Sequence, residues 1–133
     1  TLEVAAYQHA ETGLPICPIF NAGRGEIATA LYQKKGSKWY QLAPEHITTV
    51  EALCSQITTK TIFCGEFIPF IATQLRKLLK RKAIILPPAA RLRRASFLAE
   101  LGLKQLNAGN YDNPAILQPL YLRRPPITKP KHR

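Results

Sequence analysis

Residues 15–40 read PICPIFNAGRGEIATALYQKKGSKWY, and the arrangement of the sheet follows from these residues. An apolar run over residues 16–20 stops at a turn in which two glycines bracket Arg24, and apolar and small residues then alternate up to a second glycine turn at residues 34–37. Alternation with a period of two is typical of strands, and glycine adopts the positive φ that tight hairpins require. The stretch therefore predicts three sequential antiparallel strands, the third at residues 38–42.

A strand, a helix and another strand are predicted downstream of this meander. The short apolar runs at residues 61–64 and 83–86 are typical of buried strands, and residues 69–82 between them carry an amphipathic helical pattern. In this order the two strands form a right-handed parallel unit. We therefore expect a single α/β domain with a mixed sheet of about five strands, an antiparallel meander plus a parallel βαβ unit, covered by helices.

Three further helices are predicted from caps and periodicity. Thr1 is an N-cap for a helix over residues 2–11, and Thr48 with Glu51 has the capping-box spacing of a short second helix. The longest helix is predicted from residue 89 or 90 to residue 106. Its inward face is expected to consist of Leu92, Ala95, Ala99, Leu103 and Leu106, with Leu98 at the edge and Phe97 on the side of Arg93 and Arg94.

The composition is that of one globular domain. The chain has 133 residues, of which 46% are hydrophobic, and this is enough apolar material for a core. No apolar run approaches the roughly 18 residues of a membrane span, and no segment has the pattern of a signal peptide. Because the chain begins at Thr1 and contains no Met, we expect a fragment or an excised domain.

The three cysteines, Cys17, Cys54 and Cys64, lie in apolar settings without a Cys-x-x-Cys spacing. An odd number of such cysteines is typical of reduced thiols that pack as small hydrophobes. A reactive thiol would need an accessible and electropositive setting. We therefore expect structural thiols in a reducing, cytoplasmic compartment.

Charge is distributed very unevenly along the chain. Residues 1–66 hold five basic and six acidic residues, whereas residues 67–133 hold fourteen basic and two acidic ones. A positive field of this kind can contact phosphates without reading a base sequence. The predicted helices could bring these cations onto one surface, and a merely solvated cationic face is the alternative. The candidate nucleic-acid contacts are Arg76, Lys77, Lys80, Arg81, Arg91, Arg93, Arg94, Arg123 and Arg124.

The sequence lacks the motifs of catalysis and of cofactor binding. It contains no glycine-rich phosphate loop, no nucleophile elbow and no zinc spacing, and it predicts no catalytic, cofactor or metal residue. The turn Arg24-Gly25-Glu26 could hold a partner's carboxylate or a phosphate through the guanidinium group of Arg24. The alternative is a purely structural turn with a local ion pair. Glu26 and Glu66 would meet only if their two turns came together in space.

Three segments carry a resemblance to a known family. They are residues 1–6 (TLEVAA), the turn Arg24-Gly25-Glu26 before a strand that closes on Leu-Tyr, and residues 119–123 (PLYLR). In order and spacing they resemble the C-terminal half of the TsaB (YeaZ) family of the actin/Hsp70-like (ASKHA) superfamily. The chain departs from the family at Phe67, which replaces a second glycine, and at residues 21–23, which replace Asp-Ala-Arg. No mechanism is therefore carried over from these two turns.

The resemblance implies a second actin-like domain over residues 1–123, followed by a basic, proline-containing flexible tail over residues 124–133, with the N-terminal domain absent from this chain. Residues 116–123 are expected to pack along the domain. The implied role is a non-catalytic scaffold in tRNA threonylcarbamoyladenosine modification that supports a TsaD-type transferase, binds a TsaE-type ATPase and needs no cofactor or membrane.

Two other functions stay open at this point. One is a basic, non-specific RNA-binding module, in keeping with the modified substrate being tRNA. The other is a peptidase, after an older glycoprotease label of the superfamily. A homodimer is one alternative for the oligomeric state.

Overall fold

The structure is a computed structural model that describes residues 1–123. Its helices are α1 (Leu2–Tyr7), α2 (Val50–Gln56), α3 (Pro69–Leu79) and α4 (Ala95–Asn107). Its strands are β1 (Ile16–Gly23), β2 (Glu26–Lys35), β3 (Lys38–Thr48), β4 (Thr61–Glu66) and β5 (Ala83–Ile85). Short 3₁₀ turns lie at Ala10–Thr12, Lys80–Lys82 and Pro88–Arg91. The tail predicted at residues 124–133, with Arg124, lies outside the described residues.

The five strands form one mixed sheet with the order β3-β2-β1-β4-β5. β2 pairs antiparallel with both β1 and β3, while β4 runs parallel to both β1 and β5. The predicted fold class, a mixed α/β domain in which an antiparallel meander joins a parallel unit, is confirmed. The parallel pairing of residues 61–64 with the strand that begins at Ala83 is confirmed as well.

Apolar side chains cover both faces of the sheet. On one face, Ile19 and Phe63 pack with residues of α2 and α3 such as Leu75. On the other face, Ile16 and Ile62 pack with α1. Successive side chains of a strand point to opposite faces of the sheet. A strand whose two faces are both buried, such as β4, is therefore a nearly continuous apolar run in the sequence.

The backbones of β1 and β4 approach closely at Gly65. Its φ is +99°, and a Cβ added there would lie 2.3 Å from the carbonyl oxygen of Ile19. Glycine is therefore required at this position. Phe67, which stands where the family has a second glycine, is a buried member of the core on the α3 side, so its ring contributes packing in place of a close backbone approach.

Two local predictions are wrong. β3 continues through Pro44 to Thr48 instead of ending at residue 42, because it is an edge strand with an irregular register, where a missing backbone N–H is tolerated. The N-cap of α2 is Thr49, whose hydroxyl accepts a hydrogen bond from the Ala52 amide at 3.2 Å. The predicted capping box of Thr48 therefore does not form.

The last helix begins later than predicted. Residues Pro88–Arg91 form a 3₁₀ turn, the chain is then extended, and α4 starts at Ala95 with Arg94 as its N-cap. Arg91 and Arg93 thus precede the helix and do not lie in its first turns. The first helix is also shorter than predicted, since α1 ends at Tyr7. Among residues 1–123, no helix has both the length and the apolar character needed to cross a membrane.

Candidate functional site

Arginine side chains gather at the carboxyl ends of the parallel strands β1 and β4. Arg93 Nη2 donates to Glu66 Oε1 at 2.7 Å, and the Arg93 guanidinium lies 5.1 Å from the centroid of the Phe20 ring. Arg91 Nη1 donates to the Phe67 carbonyl oxygen at 3.3 Å, and its guanidinium lies 4.3 Å from the Phe67 ring centroid. Ligands of open α/β sheets bind at this end of the strands, but these two arginines already have intramolecular contacts.

A cleft of about 460 Å³ adjoins these arginines. Its lining consists of Thr1, Val4, Glu66, Leu92, Arg93, Arg94, Ala95 and Leu98. Half of this set is apolar, and the charged groups are one carboxylate and two guanidinium groups. Without a histidine, a cysteine or a second carboxylate in this lining, the cleft can bind a group but has no acid–base pair.

The turn Arg24-Gly25-Glu26 connects β1 and β2. Arg24 has a positive φ of 55°, as do the glycines on either side of it, so the motif is needed for the hairpin itself. Glu26 forms its ion pair with Arg123, and the local pair predicted within the motif does not form. Glu66 pairs with a different arginine, Arg93.

The predicted nucleic-acid contacts lie in two separate places. Because α3 returns from the carboxyl end of β4 to the start of β5, its cations lie at the amino ends of the parallel strands. The six residues of β4 span about 20 Å, which separates this group from the arginines after β5. The first group contains Arg76, Lys77, Lys80 and Arg81; the second contains Arg91, Arg93, Arg94 and Arg123.

Tyr7 determines how α4 sits on the domain. Its hydroxyl donates to Glu100 Oε1 at 2.5 Å and accepts from Lys104 Nζ. Its ring meets Trp39 edge-on at 5.3 Å and Phe97 edge-on at 6.3 Å. The hydrogen bond from Tyr7 lowers the pKa of Glu100, and the bond to Tyr7 raises the pKa of Lys104. These contacts turn the Phe97 side of α4 toward the domain.

The opposite side of α4 is apolar and exposed. Leu98, Leu103 and Leu106 are between 53% and 59% exposed, and at 100° per residue they span an arc of about 140°. Leu92, just before the helix, is 68% exposed. The predicted inward face of this helix is therefore wrong, because the sequence pattern did not reveal the contact between Phe97 and Tyr7.

The segment after α4 adds further exposed apolar side chains. Ile116, Leu117, Leu120 and Tyr121 are between 64% and 73% exposed, so the prediction that residues 116–123 pack along the domain is wrong for most of the segment. Packing begins only at its end, where Leu122 joins the core on the α1 side and Arg123 pairs with Glu26.

We call this set the apolar face. It consists of Leu92, Leu98, Leu103, Leu106, Tyr111, Ile116, Leu117, Leu120 and Tyr121. Sequence reasoning missed it as a candidate site. The available signal was that residues 92–106 hold more leucines than one buried stripe of a helix requires.

The thiols are buried and free. Burial raises the pKa of Cys17 to about 12, and burial also raises the pKa of Cys54 and of Cys64. They pack as structural side chains, as the sequence predicts. Within residues 1–123, no three side chains of His, Cys, Asp or Glu are close enough together to hold a metal ion.

The fold defines a class of mixed α/β domain, and a comparison with solved structures narrows that class. One solved structure, an uncharacterized protein with similarity to peptidase YeaZ from Pseudomonas aeruginosa, superposes with a TM-score of 0.65 at 16% sequence identity. The match covers 92% of this chain and 55% of that chain, so this chain spans about half of its length. No protein-family model and no curated protein matches the chain. The fold is therefore YeaZ-like, and at this identity the likeness concerns the fold alone.

Proposed function

We propose that this chain is a non-catalytic domain of a TsaB (YeaZ)-type subunit that acts in the cytoplasm in tRNA threonylcarbamoyladenosine modification. In this role it supports a TsaD-type transferase by binding it, and a TsaE-type ATPase is a second partner. The YeaZ-like fold supports the proposal, as does the resemblance carried by residues 1–6, 24–26 and 119–123.

The apolar face is the observation that carries the proposal. Nine large apolar side chains are exposed between Leu92 and Tyr121, and exposed apolar side chains that cluster often mark an interaction site. Leu98, Leu103 and Leu106 lie on one side of one helix, so the groove or helix of a partner can bury them together. Fully burying an exposed leucine contributes about 1.5–3 kcal/mol. Because these three are between 53% and 59% exposed, each would add about half of that to an interface.

The described side chains favour binding over catalysis. The thiols of Cys17 and Cys64 are buried and have raised pKa values, which suppresses the reactive thiolate. Glu26 and Glu66 are each paired with an arginine. A peptidase would need an activated nucleophile or a metal-bound water. The cysteines are buried, and among residues 1–123 no three side chains of His, Cys, Asp or Glu are close enough together to hold a metal ion.

Isothermal titration calorimetry against a purified TsaD-type protein tests the proposal. The variant Leu98→Glu/Leu106→Glu places two charges on the apolar face, and we expect its affinity to fall at least tenfold, because burying an unpaired charge is costly. The matched control is Leu78→Glu on α3, whose leucine is also half exposed at 47%. This control should bind as the wild type does.

Three results would contradict the proposal. One is the absence of any binding to the TsaD-type protein. Another is an equal loss of affinity in the α3 control and the α4 variant. The third is a change of sedimentation coefficient in the α4 variant alone, which would show that a second copy of the chain covers the apolar face.

A further inference from the structure

A dense group of cations marks the end of α3 and the turn that follows it. We call it the α3 basic end, and it consists of Arg76, Lys77, Lys80, Arg81 and Lys82. All five side chains are exposed. Arg76 and Lys77 lie in the last turn of α3, and the other three lie in the 3₁₀ turn that follows directly. At a rise of about 1.5–2 Å per residue, these seven positions extend over about 10 Å.

The α3 basic end is not neutralised by neighbouring carboxylates. Ion pairs in the described part of the chain join Lys34 to Glu11 and Lys104 to Glu100, and two more involve Arg93 and Arg123. None of the five α3 cations lies within 4.0 Å of a carboxylate among residues 1–123. Arg91, Arg93 and Arg123, at the other end of the sheet, therefore have intramolecular partners that the α3 cations lack among residues 1–123.

Helix stability alone does not account for this patch. Cations near a helix C-terminus interact favourably with the macrodipole, but the effect is confined to the last turn. Lys80 and Lys82 lie beyond α3, in the 3₁₀ turn, and Lys80 has an unfavourable positive φ of 51°. Five like charges within seven residues also repel one another. The patch thus concentrates charge at some cost to the fold.

We propose that the α3 basic end binds the phosphodiester backbone of double-stranded or folded nucleic acid, independently of base sequence. A duplex strand rises 3.4 Å per phosphate, so a patch of about 10 Å faces about three phosphates along one strand. This inference does not depend on the proposed scaffold role.

The surroundings of the patch favour a nucleic acid over a protein partner. Leu78 is the large apolar side chain exposed among these cations, whereas protein interfaces are centred on several buried apolar or aromatic anchors. The exposed aromatic side chain of α3, Phe70, lies at the opposite end of the helix. Base stacking is therefore not available next to these cations, and contact is made with the phosphates alone.

The proposal sets the expected dependence on salt. With three to five phosphate contacts, the affinity for a duplex should fall between about 40-fold and about 500-fold when monovalent salt rises from 50 to 200 mM. Each contact contributes about 0.9 to the slope of log K against log salt. Removing three cations should therefore reduce the slope by about 2.7.

Fluorescence anisotropy with a fluorescein-labelled RNA duplex of about 20 base pairs measures this slope. The full chain is titrated as wild type, as Arg76→Gln/Lys77→Gln/Arg81→Gln, and as the charge-matched control Arg24→Gln/Lys35→Gln/Lys38→Gln. The three cations of the control are also exposed and lie at the turns between β1, β2 and β3. We expect the α3 variant to lose at least tenfold in affinity at 50 mM salt, and its slope of log K against log salt should fall by about 2.7. The control should keep the affinity and the slope of the wild type.

Further titrations distinguish a nucleic acid from other anionic partners. Two RNA duplexes of different base sequence should bind equally well. The inference is overturned if the wild type fails to bind at 50 mM salt, or if both triple variants lose affinity and slope equally. It is also overturned if polyglutamate or anionic phosphatidylserine vesicles displace the duplex at equal charge concentration, because the partner would then be an acidic protein or a lipid surface.

Discussion

The substitution Gly65→Ala tests the closest backbone contact of the sheet. Gly65 pairs with Ile19 in the parallel ladder between β1 and β4, and an added Cβ would lie 2.3 Å from the Ile19 carbonyl oxygen and 2.9 Å from its nitrogen. Neither backbone atom can withdraw without opening the ladder. The residue also has a φ of +99°, which L-residues rarely adopt.

The expected loss of stability in Gly65→Ala has two parts. The unfavourable backbone conformation costs about 1–2 kcal/mol, and forcing an extra methyl group into a packed site costs about 1–3 kcal/mol. The free energy of unfolding should therefore fall by about 2–5 kcal/mol, a large share of the 5–15 kcal/mol that typical domains have. Gly36→Ala is the matched control, because Gly36 has a φ of +61° and no atom within 4 Å of its added Cβ.

Urea denaturation followed by circular dichroism measures both variants. Gly36→Ala should lose only the backbone part, about 1–2 kcal/mol, so the difference between the variants isolates the contact with Ile19. The midpoint of unfolding should shift without a change in the m-value, since the surface exposed on unfolding stays the same. If Gly65→Ala is no less stable than Gly36→Ala, the reasoning about the β1–β4 contact is refuted.

Three further predictions concern side chains of the core and of the helix ends. Burial raises the pKa of Cys17 to about 12. Ellman's reagent at pH 8 should therefore react with this thiol about a thousandfold more slowly than with a thiol whose pKa is unshifted. Equal reaction rates in native and urea-unfolded protein would contradict this. Thr49→Ala removes the hydrogen bond to the Ala52 amide and should lower the free energy of unfolding by about 1 kcal/mol, while Thr49→Ser should not. Burial lowers the pKa of His9 from 6.5, so stability should be complete above pH 6.5 and decrease as the pH falls below it; a melting temperature of His9→Gln with the same pH dependence would rule this out.

The strands of the meander were predictable because their signals are local. The apolar alternation of β1 and β2 and the glycines around Arg24 are read within about ten residues. The parallel pairing of β4 and β5 followed from their connection through one helix, which returns the chain to the end of the sheet where β4 began. The same connection already implies that the cations of α3 and the arginines after β5 lie at opposite ends of the sheet, although the sequence interpretation held that one surface could carry them.

The orientation of α4 was decided by contacts between distant parts of the chain. Phe97 and Leu98 are equally apolar neighbours, and the helical pattern does not tell which of them faces the domain. Tyr7 makes the choice through its ring and through its hydrogen bonds with Glu100 and Lys104, more than ninety residues away. Local periodicity therefore showed that this segment is an apolar helix. Only the tertiary packing decided that its leucines stay exposed. A helix with apolar side chains on two sides buries the side that meets an aromatic and hydrogen-bonding partner, and Tyr7 is that partner.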